Sequence, residues 1–134
     1  MSRPLVAGIG FRRGTGDDEI AALIAQALGQ VGADRADLTA VATAADRAGE
    51  PAITQAAAAF GLSPWPVEAR ALEACDGDLV TRSTRIERLR KVGSLAEAAA
   101  LAVAGPESRL VLPRIASGGA TCALAVRQNT NPDA

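Results

Sequence analysis

The sequence predicts a single α/β domain of three layers, in which helices flank a mixed, mostly parallel β-sheet. Two observations support this fold class. The chain has 134 residues, a length that suits one compact domain. Short apolar runs also alternate with segments of helical periodicity, and right-handed crossovers between parallel strands place such helices on the faces of a sheet. The domain is expected to cover residues 1–127, followed by a polar tail at residues 128–134.

The first half of the chain alternates between strand and helix. Residues 5–10 form an apolar run bounded by glycines, the pattern of a strand buried on both faces. Asp17 or Asp18 then caps a helix whose apolar residues keep helical spacing until the glycines within 29–32 end it. A second β-like run follows at residues 38–42.

Prolines and glycines divide the middle of the chain. Pro51 opens a helix after Glu50, and Gly61 closes it. The prolines within residues 64–68 restrict that segment to a short or edge strand. Residues 69–75 are long enough for one or two helical turns.

The last part of the chain predicts a helix and a hairpin. Ser94 and Glu97 have the spacing of a capping box, which starts a helix over residues 95–104. Two β-like runs, at 109–113 and 121–126, flank the turn Ser117-Gly118-Gly119. A connection this short predicts an antiparallel pair of strands.

Composition excludes several classes of function. Histidine is absent, which removes His-based nucleophile pairs and His-ligated metals. Fourteen basic and fifteen acidic residues give a net charge of −1, and only three residues are aromatic, so nucleic-acid binding is not expected. No apolar run approaches the length of a membrane span. We expect a cytoplasmic protein with no metal, no cofactor, and Cys75 and Cys122 as buried free thiols.

The first candidate site is the glycine-rich loop after the first strand, which contains Gly10, Arg12, Arg13, Gly14 and Thr15. At this place in α/β sheets, backbone N–H groups and a helix dipole converge on a ligand, and paired arginines suit carboxylate or phosphate. The spacing GxGxxxG meets neither the dinucleotide nor the Walker fingerprint. A tight turn with exposed arginines explains the same residues equally well.

Two further candidates follow along the chain. Thr43, Asp46, Arg47 and Glu50 lie between the second strand and the next helix. Successive parallel strands present their carboxyl ends to one crevice, so these residues are expected near the first loop. A helix cap with a surface ion pair is the simpler explanation. The basic stretch at residues 82–91 is either a solvated face or a lid over an anionic ligand.

Five segments, taken together and in this order, carry a resemblance to a known family. They are GIGFRRGTGDDEI, VATAADRAGEPAI, VGSLAEAAALAVAG, LVLPR and ATCALAV. With these segments the chain resembles, over nearly its whole length, the cobalamin-biosynthesis family that comprises CobE and the C-terminal domain of CbiG.

The resemblance implies work on corrin or precorrin intermediates of vitamin B12, which are macrocycles fringed with acetate and propionate groups. Local arginines and backbone donors suit such a polycarboxylate. In its fused form the family opens a lactone on a cobalt-precorrin. The stand-alone form lacks the N-terminal half of CbiG, so the resemblance implies that this chain binds an intermediate or hands it on. Another enzyme of the pathway is then a candidate partner.

The resemblance also points to individual residues. The family's basic loop, strand end, helix start and late Ser and Glu correspond to Gly10, Arg12, Gly14, Thr15, Thr43, Glu50, Ser94 and Glu97. Arg47 and Arg114 stand where the family often has lysine, so amine chemistry is not expected here. Two other functions stay open. One is hydrolase activity on a precorrin lactone with Asp46 or Glu50 as general base. The other is a module that docks on a pathway enzyme through residues 82–91.

Overall fold

A computed structural model describes residues 4–74, 95–105 and 107–127. In chain order the elements are β1 (Leu5–Phe11), α1 (Asp17–Gln30), a 3-10 helix (Arg35–Asp37), β2 (Leu38–Ala44), α2 (Pro51–Ala58), β3 (Pro64–Val67), α3 (Ala69–Ala74), α4 (Leu95–Ala104), β4 (Ser108–Ala116) and β5 (Ala120–Arg127). The predicted alternation of strands and helices is confirmed in this order, as is the closing hairpin.

The described strands form one five-stranded sheet in the order β3-β2-β1-β5-β4. β1 pairs in parallel with β2, and β2 with β3, whereas β5 is antiparallel to both β1 and β4. The α/β class and the mixed sheet with flanking helices are therefore confirmed. Four of the five described strands run in one direction, and only β5 is reversed.

The expected excess of parallel pairing is not found, because the reversed strand lies inside the sheet. A tight hairpin forces β5 to run antiparallel to β4, and β5 then inserts beside β1. The ladder between β1 and β5 extends from Leu5↔Val126 to Phe11↔Ala120 and is longer than either parallel ladder. Antiparallel contacts therefore predominate in the sheet.

An apolar core lies on each face of the sheet. Leu5 and Ile9 of β1 point to one face, where they join buried residues of α1 and α2. Val6 of β1 joins the other core, which is formed with the alanine-rich α4 and with Leu72 of α3. Neighbouring residues of β1 thus enter opposite cores, as expected for a strand buried on both faces. The three layers are helices, sheet and helices.

The start of α1 differs from the prediction. Gly16 occupies the capping position in extended backbone and no side chain caps the helix. Asp17 and Asp18 lie inside the first turn with Glu19, where negative charge is favourable next to the helix dipole. The expected capping role of Asp17 or Asp18 is therefore wrong.

Some predictions concern residues outside the described part of the chain, namely Cys75, Ser94, residues 82–91 and the tail at 128–134. Cys122 is a free and fully buried thiol on β5, and burial raises its pKa to about 12. It is part of the core, as the sequence predicts. Within the described ranges, no helix has the length and apolar character needed to cross a membrane.

Gly8 on β1 is the point where α4 comes closest to the sheet. A Cβ atom at this position would lie 2.6 Å from the backbone nitrogen of Ala100, and it would overlap the carbonyl oxygen of Ala96. Glycine on the strand and alanines on the helix together allow this approach. The packing of α4 against β1 therefore depends on the absence of a side chain at Gly8.

We expect Gly8→Ala to lower the free energy of unfolding by about 1–3 kcal/mol, the usual cost of overpacking a core. Denaturant-induced unfolding followed by circular dichroism measures this. Gly49→Ala is the matched control, because Gly49 has open space around it and no positive φ. Equal stability of the Gly8 variant and the unmodified protein would contradict the close packing of α4 on β1.

Candidate functional site

The loops that follow β1 and β2 meet the β4–β5 turn at one edge of the sheet. Because β1, β2 and β4 end at this edge and β5 begins there, we call it the carboxyl edge. A cavity of about 600 Å³ opens here. The described residues that line it include four arginines, Arg12, Arg13, Arg47 and Arg114, and no acidic residue. We call it the arginine cavity.

The loop after β1 is tied to the β4–β5 turn by hydrogen bonds to one carbonyl oxygen. The backbone N–H of Arg12 donates to the carbonyl oxygen of Gly119 at 2.8 Å, and the Thr15 hydroxyl donates to the same oxygen at 3.0 Å. A Cβ atom at Gly119 would overlap the Thr15 hydroxyl, so a side chain there would displace Thr15 from this contact. These contacts hold the backbone of Arg12 at the rim of the cavity.

Glu19 fastens the same turn from helix α1. Its carboxylate accepts hydrogen bonds from the backbone N–H of Gly119 at 2.6 Å and from the Ser117 hydroxyl. The hydrogen bond from Ser117 lowers the pKa of Glu19, and the Gly119 amide and the nearby positive charge of Arg12 lower it further. Glu19 thus carries a negative charge that stabilises both the turn and the first cavity arginine.

Arg47 is positioned by an aromatic ring and a carboxylate. Its guanidinium lies 4.2 Å from the centre of the Phe11 ring, a cation–π contact, and its Nε donates to the carboxylate of Glu50. Phe11 lines the cavity together with Arg47. The surface ion pair that was the simpler explanation for these residues is therefore present, between Arg47 and Glu50. Arg47 nevertheless also lines the cavity.

Arg114 reaches the cavity from an irregular part of β4. The register between β4 and β5 shifts between Leu112 and Ile115, where three residues on β4 correspond to two on β5. The backbone N–H of Arg114 donates instead to the carboxylate of Glu97 on α4 at 3.0 Å. Glu97 is fully buried. The buried Glu97 side chain therefore fixes the backbone from which Arg114 extends, a contact that the predicted capping box with Ser94 does not include.

The structure brings only some of the predicted site residues together. Gly10, Arg12, Arg13 and Arg47 line the cavity. Gly14, with a φ of 87°, shapes the neighbouring loop, and the Thr15 hydroxyl is used by the turn.

The other candidates from the second loop do not line the cavity. Thr43 is 1% exposed, and its hydroxyl donates to the carbonyl oxygen of Ile9 at 2.8 Å, so it links β2 to β1 in the interior. Asp46 is exposed, and Glu50 is paired with Arg47.

The sequence alone does not assign Glu19, Ser117, Gly119 or Arg114 to the site. Glu19 is one of three consecutive acidic residues at a helix start, and nothing in the sequence distinguishes it from the other two. Ser117 and Gly119 are ordinary residues of a predicted turn. The predicted hairpin is the one signal that points to these residues. Because β5 runs antiparallel to β1, the turn before β5 lies at the carboxyl edge, next to the loop after β1. Arg114 was noted only as a departure from a family pattern.

Comparison with known proteins places the chain among cobalamin-biosynthesis proteins. The family model described as cobalamin synthesis G C-terminus matches residues 5–125. Protein CobE from Sinorhizobium sp is 39% identical over 121 residues, which are 90% of this chain and 79% of that protein.

Two solved structures share the fold over most of their lengths. One is CobE, a protein from the cobalamin (vitamin B12) biosynthetic pathway, with a TM-score of 0.89 and 30% identity over 98% of this chain and 95% of that one. The other is the cobalamin biosynthesis protein chiG from Agrobacterium tumefaciens str. C58, with a TM-score of 0.75 and 33% identity over 93% of this chain and 99% of that one.

The contacts of Glu19 predict a pH dependence of stability. Because folding lowers the Glu19 pKa below its ordinary 4.5, the charged carboxylate stabilises the folded state above that pH, and this contribution is lost as the pH falls through the lowered pKa. Glu19→Gln keeps an acceptor but removes the charge. We therefore expect the unmodified protein to be more stable than the variant at about pH 7, with the difference shrinking by about pH 3.

Denaturant unfolding of both proteins at the two pH values measures this difference. Asp18→Asn is the control, because Asp18 is exposed in the same helical turn. A Glu19 effect that does not change with pH would contradict the role given to its charge.

Proposed function

This chain belongs to the cobalamin synthesis G C-terminal family, and we propose that it binds a corrin or precorrin intermediate in the arginine cavity. The observation that supports this most strongly is the convergence of Arg12, Arg13, Arg47 and Arg114 on one cavity of about 600 Å³. Sites for small molecules commonly have volumes in the range of about 300–1,000 Å³. The cavity has the size of a ligand site and a strongly positive lining.

The charge of the cavity suits a ligand with several carboxylates. A guanidinium binds a carboxylate through two parallel hydrogen bonds, and such charge-assisted pairs are about twice as strong as neutral ones. The chain as a whole has a net charge of −1. Four arginines around one cavity are therefore a local concentration of positive charge, which a polycarboxylate satisfies better than a single phosphate.

The cavity also offers apolar surface to the body of a macrocycle. Phe11 and Leu95 line it, and the Phe11 ring and the Arg47 guanidinium contact each other at 4.2 Å. Aromatic rings and guanidinium planes both favour flat, conjugated partners. Phe11 and Leu95 are largely buried, so we assign the ring of the ligand to the Arg47 guanidinium that covers Phe11, and its carboxylates to the other arginines.

Binding explains the described residues better than turnover does. General acid–base chemistry needs a titratable group within hydrogen-bond reach of the reacting atoms. The described lining contains no acidic residue, and the chain has no histidine. Asp46 and Glu50, the candidates for a general base, do not line the cavity. We propose that the protein holds the intermediate and passes it to another enzyme of the pathway.

An absorbance titration with hydrogenobyrinic acid, a metal-free corrinoid, tests the proposal. We expect a saturable spectral shift with one ligand per chain. The double variant Arg12→Ala/Arg13→Ala should bind more weakly by roughly 1.5 to 3 kcal/mol for each charge-assisted pair lost.

Arg109→Ala is the matched control, because it removes an arginine that is likewise exposed but lies at the opposite edge of the sheet. Arg109 pairs with Val126, and Val126 pairs with Leu5 at the amino end of β1. Circular dichroism establishes that all variants are folded. The site assignment fails if the double variant and the control bind equally well, and the proposed function fails if hydrogenobyrinic acid does not bind at all.

A further inference from the structure

Arg47 is held by two contacts within the protein, because its guanidinium lies against an aromatic ring and a carboxylate binds its edge. From this arrangement we infer that Arg47 is a specificity-determining residue whose guanidinium binds the face of a flat, conjugated ring. Glu50 is the positioning residue that holds the guanidinium in place. The inference rests on the proposed function and adds the means by which the ring itself, apart from its charged groups, is recognised.

The Phe11 ring supports one face of the guanidinium. Cζ of Arg47 lies 4.2 Å from the centre of this ring, a distance at which a cation is attracted to the π-face. Phe11 is itself packed in the apolar core with Ile9 and with buried residues of α1. Because this packing fixes the ring, the guanidinium against it has a defined place at the wall of the cavity.

Glu50 holds the guanidinium by its edge. Nε of Arg47 donates to Oε2 of Glu50, and Nη2 donates to Oε1 at 3.4 Å. The backbone N–H of Glu50 also donates to the Arg47 carbonyl oxygen at 3.1 Å, so one short turn carries both partners. Among the described residues, Arg47 is the cavity arginine that forms an ion pair. Its charge is therefore partly neutralised before a ligand binds.

The remaining face of the guanidinium is the part that a ligand meets. The Arg47 side chain is only 17% exposed, and Arg47 lines the cavity. Phe11 covers one face and Glu50 binds the edge, so the exposed part lies on the side of the cavity. A guanidinium is planar and delocalised, and it stacks on conjugated rings. Arg47 therefore offers the ligand a flat surface, with fewer free N–H groups than an unpaired arginine has.

The shape of arginine can be separated from its charge by lysine. A lysine ammonium carries the same charge, but it is compact and cannot stack on a ring as a guanidinium does. If Arg47 acts only as a positive charge, lysine should replace it without loss. If it binds the face of a ring, lysine should be a poor substitute.

A stacking role and a charge role make opposite predictions for Glu50. Removing the carboxylate charge frees the Arg47 guanidinium from its ion pair and raises the positive charge beside the cavity. An arginine that binds a ligand carboxylate would then bind it more tightly. An arginine that must be held against Phe11 would lose its position, and the ligand would bind more weakly.

Titration of Arg47→Lys with hydrogenobyrinic acid tests the inference. We expect binding to weaken about 5- to 30-fold, the range of a desolvated cation–π contact. The absorbance spectrum of the ligand at saturation should also move toward that of the free ligand, because the guanidinium no longer lies against the conjugated ring. This second measurement does not depend on affinity, so it separates ring contact from a general loss of binding.

Two matched lysine variants are the controls. Arg12→Lys loses the fork of another cavity arginine, so it should weaken binding and keep the saturated spectrum of the unmodified protein. Arg109→Lys should change neither the affinity nor the spectrum. Circular dichroism establishes that all variants are folded.

Glu50→Gln is the second test, and Asp18→Asn is its control, because Asp18 is exposed and its loss removes the same charge. We expect Glu50→Gln to bind hydrogenobyrinic acid more weakly than Asp18→Asn does, with the same spectral change as Arg47→Lys. Tighter binding by Glu50→Gln overturns the inference. Unchanged affinity or an unchanged saturated spectrum in Arg47→Lys also overturns it, and both results leave the proposed function intact. If the unmodified protein does not bind hydrogenobyrinic acid, the proposed function and the inference fail together.

Discussion

The site depends on the insertion of one reversed strand beside the first strand. β5 lies between β1 and β4, so the turn before it is held against the loop after β1. The clamp at this junction consists of the Gly119 carbonyl, which accepts from Arg12 and Thr15, and the Gly119 amide, which donates to Glu19. A side chain at Gly119 would overlap Thr15. Without this junction, the loop that carries Arg12 would not be tied to the hairpin that carries Arg114, and no shared cavity would form.

Electrostatic balance follows from the same arrangement. Four arginines converge in a protein whose net charge is −1. Like charges at close range repel, so such a cluster costs folding energy unless negative charge lies nearby. Glu19 and Glu50 supply negative charge from outside the cavity lining, and each also holds a specific backbone or side chain in place. Among the described residues, the charged side chains of the cavity lining are therefore all positive.

The amino-acid sequence predicts more of the fold than of the site, for physical reasons. The hydrophobic pattern and the turn residues mark each element directly, since burial and backbone conformation are local properties. The edge strand β3, the helix after Pro51 and the closing hairpin were all predicted in this way.

The order of strands in a sheet is not determined by local sequence. Ser117 and Arg114 lie at the site because β5 is inserted beside β1, and no local pattern in the sequence indicates that position. Thr43 shows the opposite case, in which a local signal indicates a site residue and the structure places that residue in the interior. Its position at a strand end suggested a ligand contact, but its hydroxyl lies in the interior and binds Ile9.

The central claim is that ligand carboxylates bind the guanidinium groups of the arginine cavity, and NMR of the arginine side chains tests it most directly. The Nε–H signals of Arg12, Arg13 and Arg114 should shift when hydrogenobyrinic acid is added. Those of Arg35 and Arg109 should not, because Arg35 lies in the 3-10 helix that precedes β2 and Arg109 lies at the start of β4, both at the opposite edge of the sheet from the cavity. Shifts confined to Arg35, Arg109 or residues 82–91, with the cavity arginines unchanged, would contradict the account.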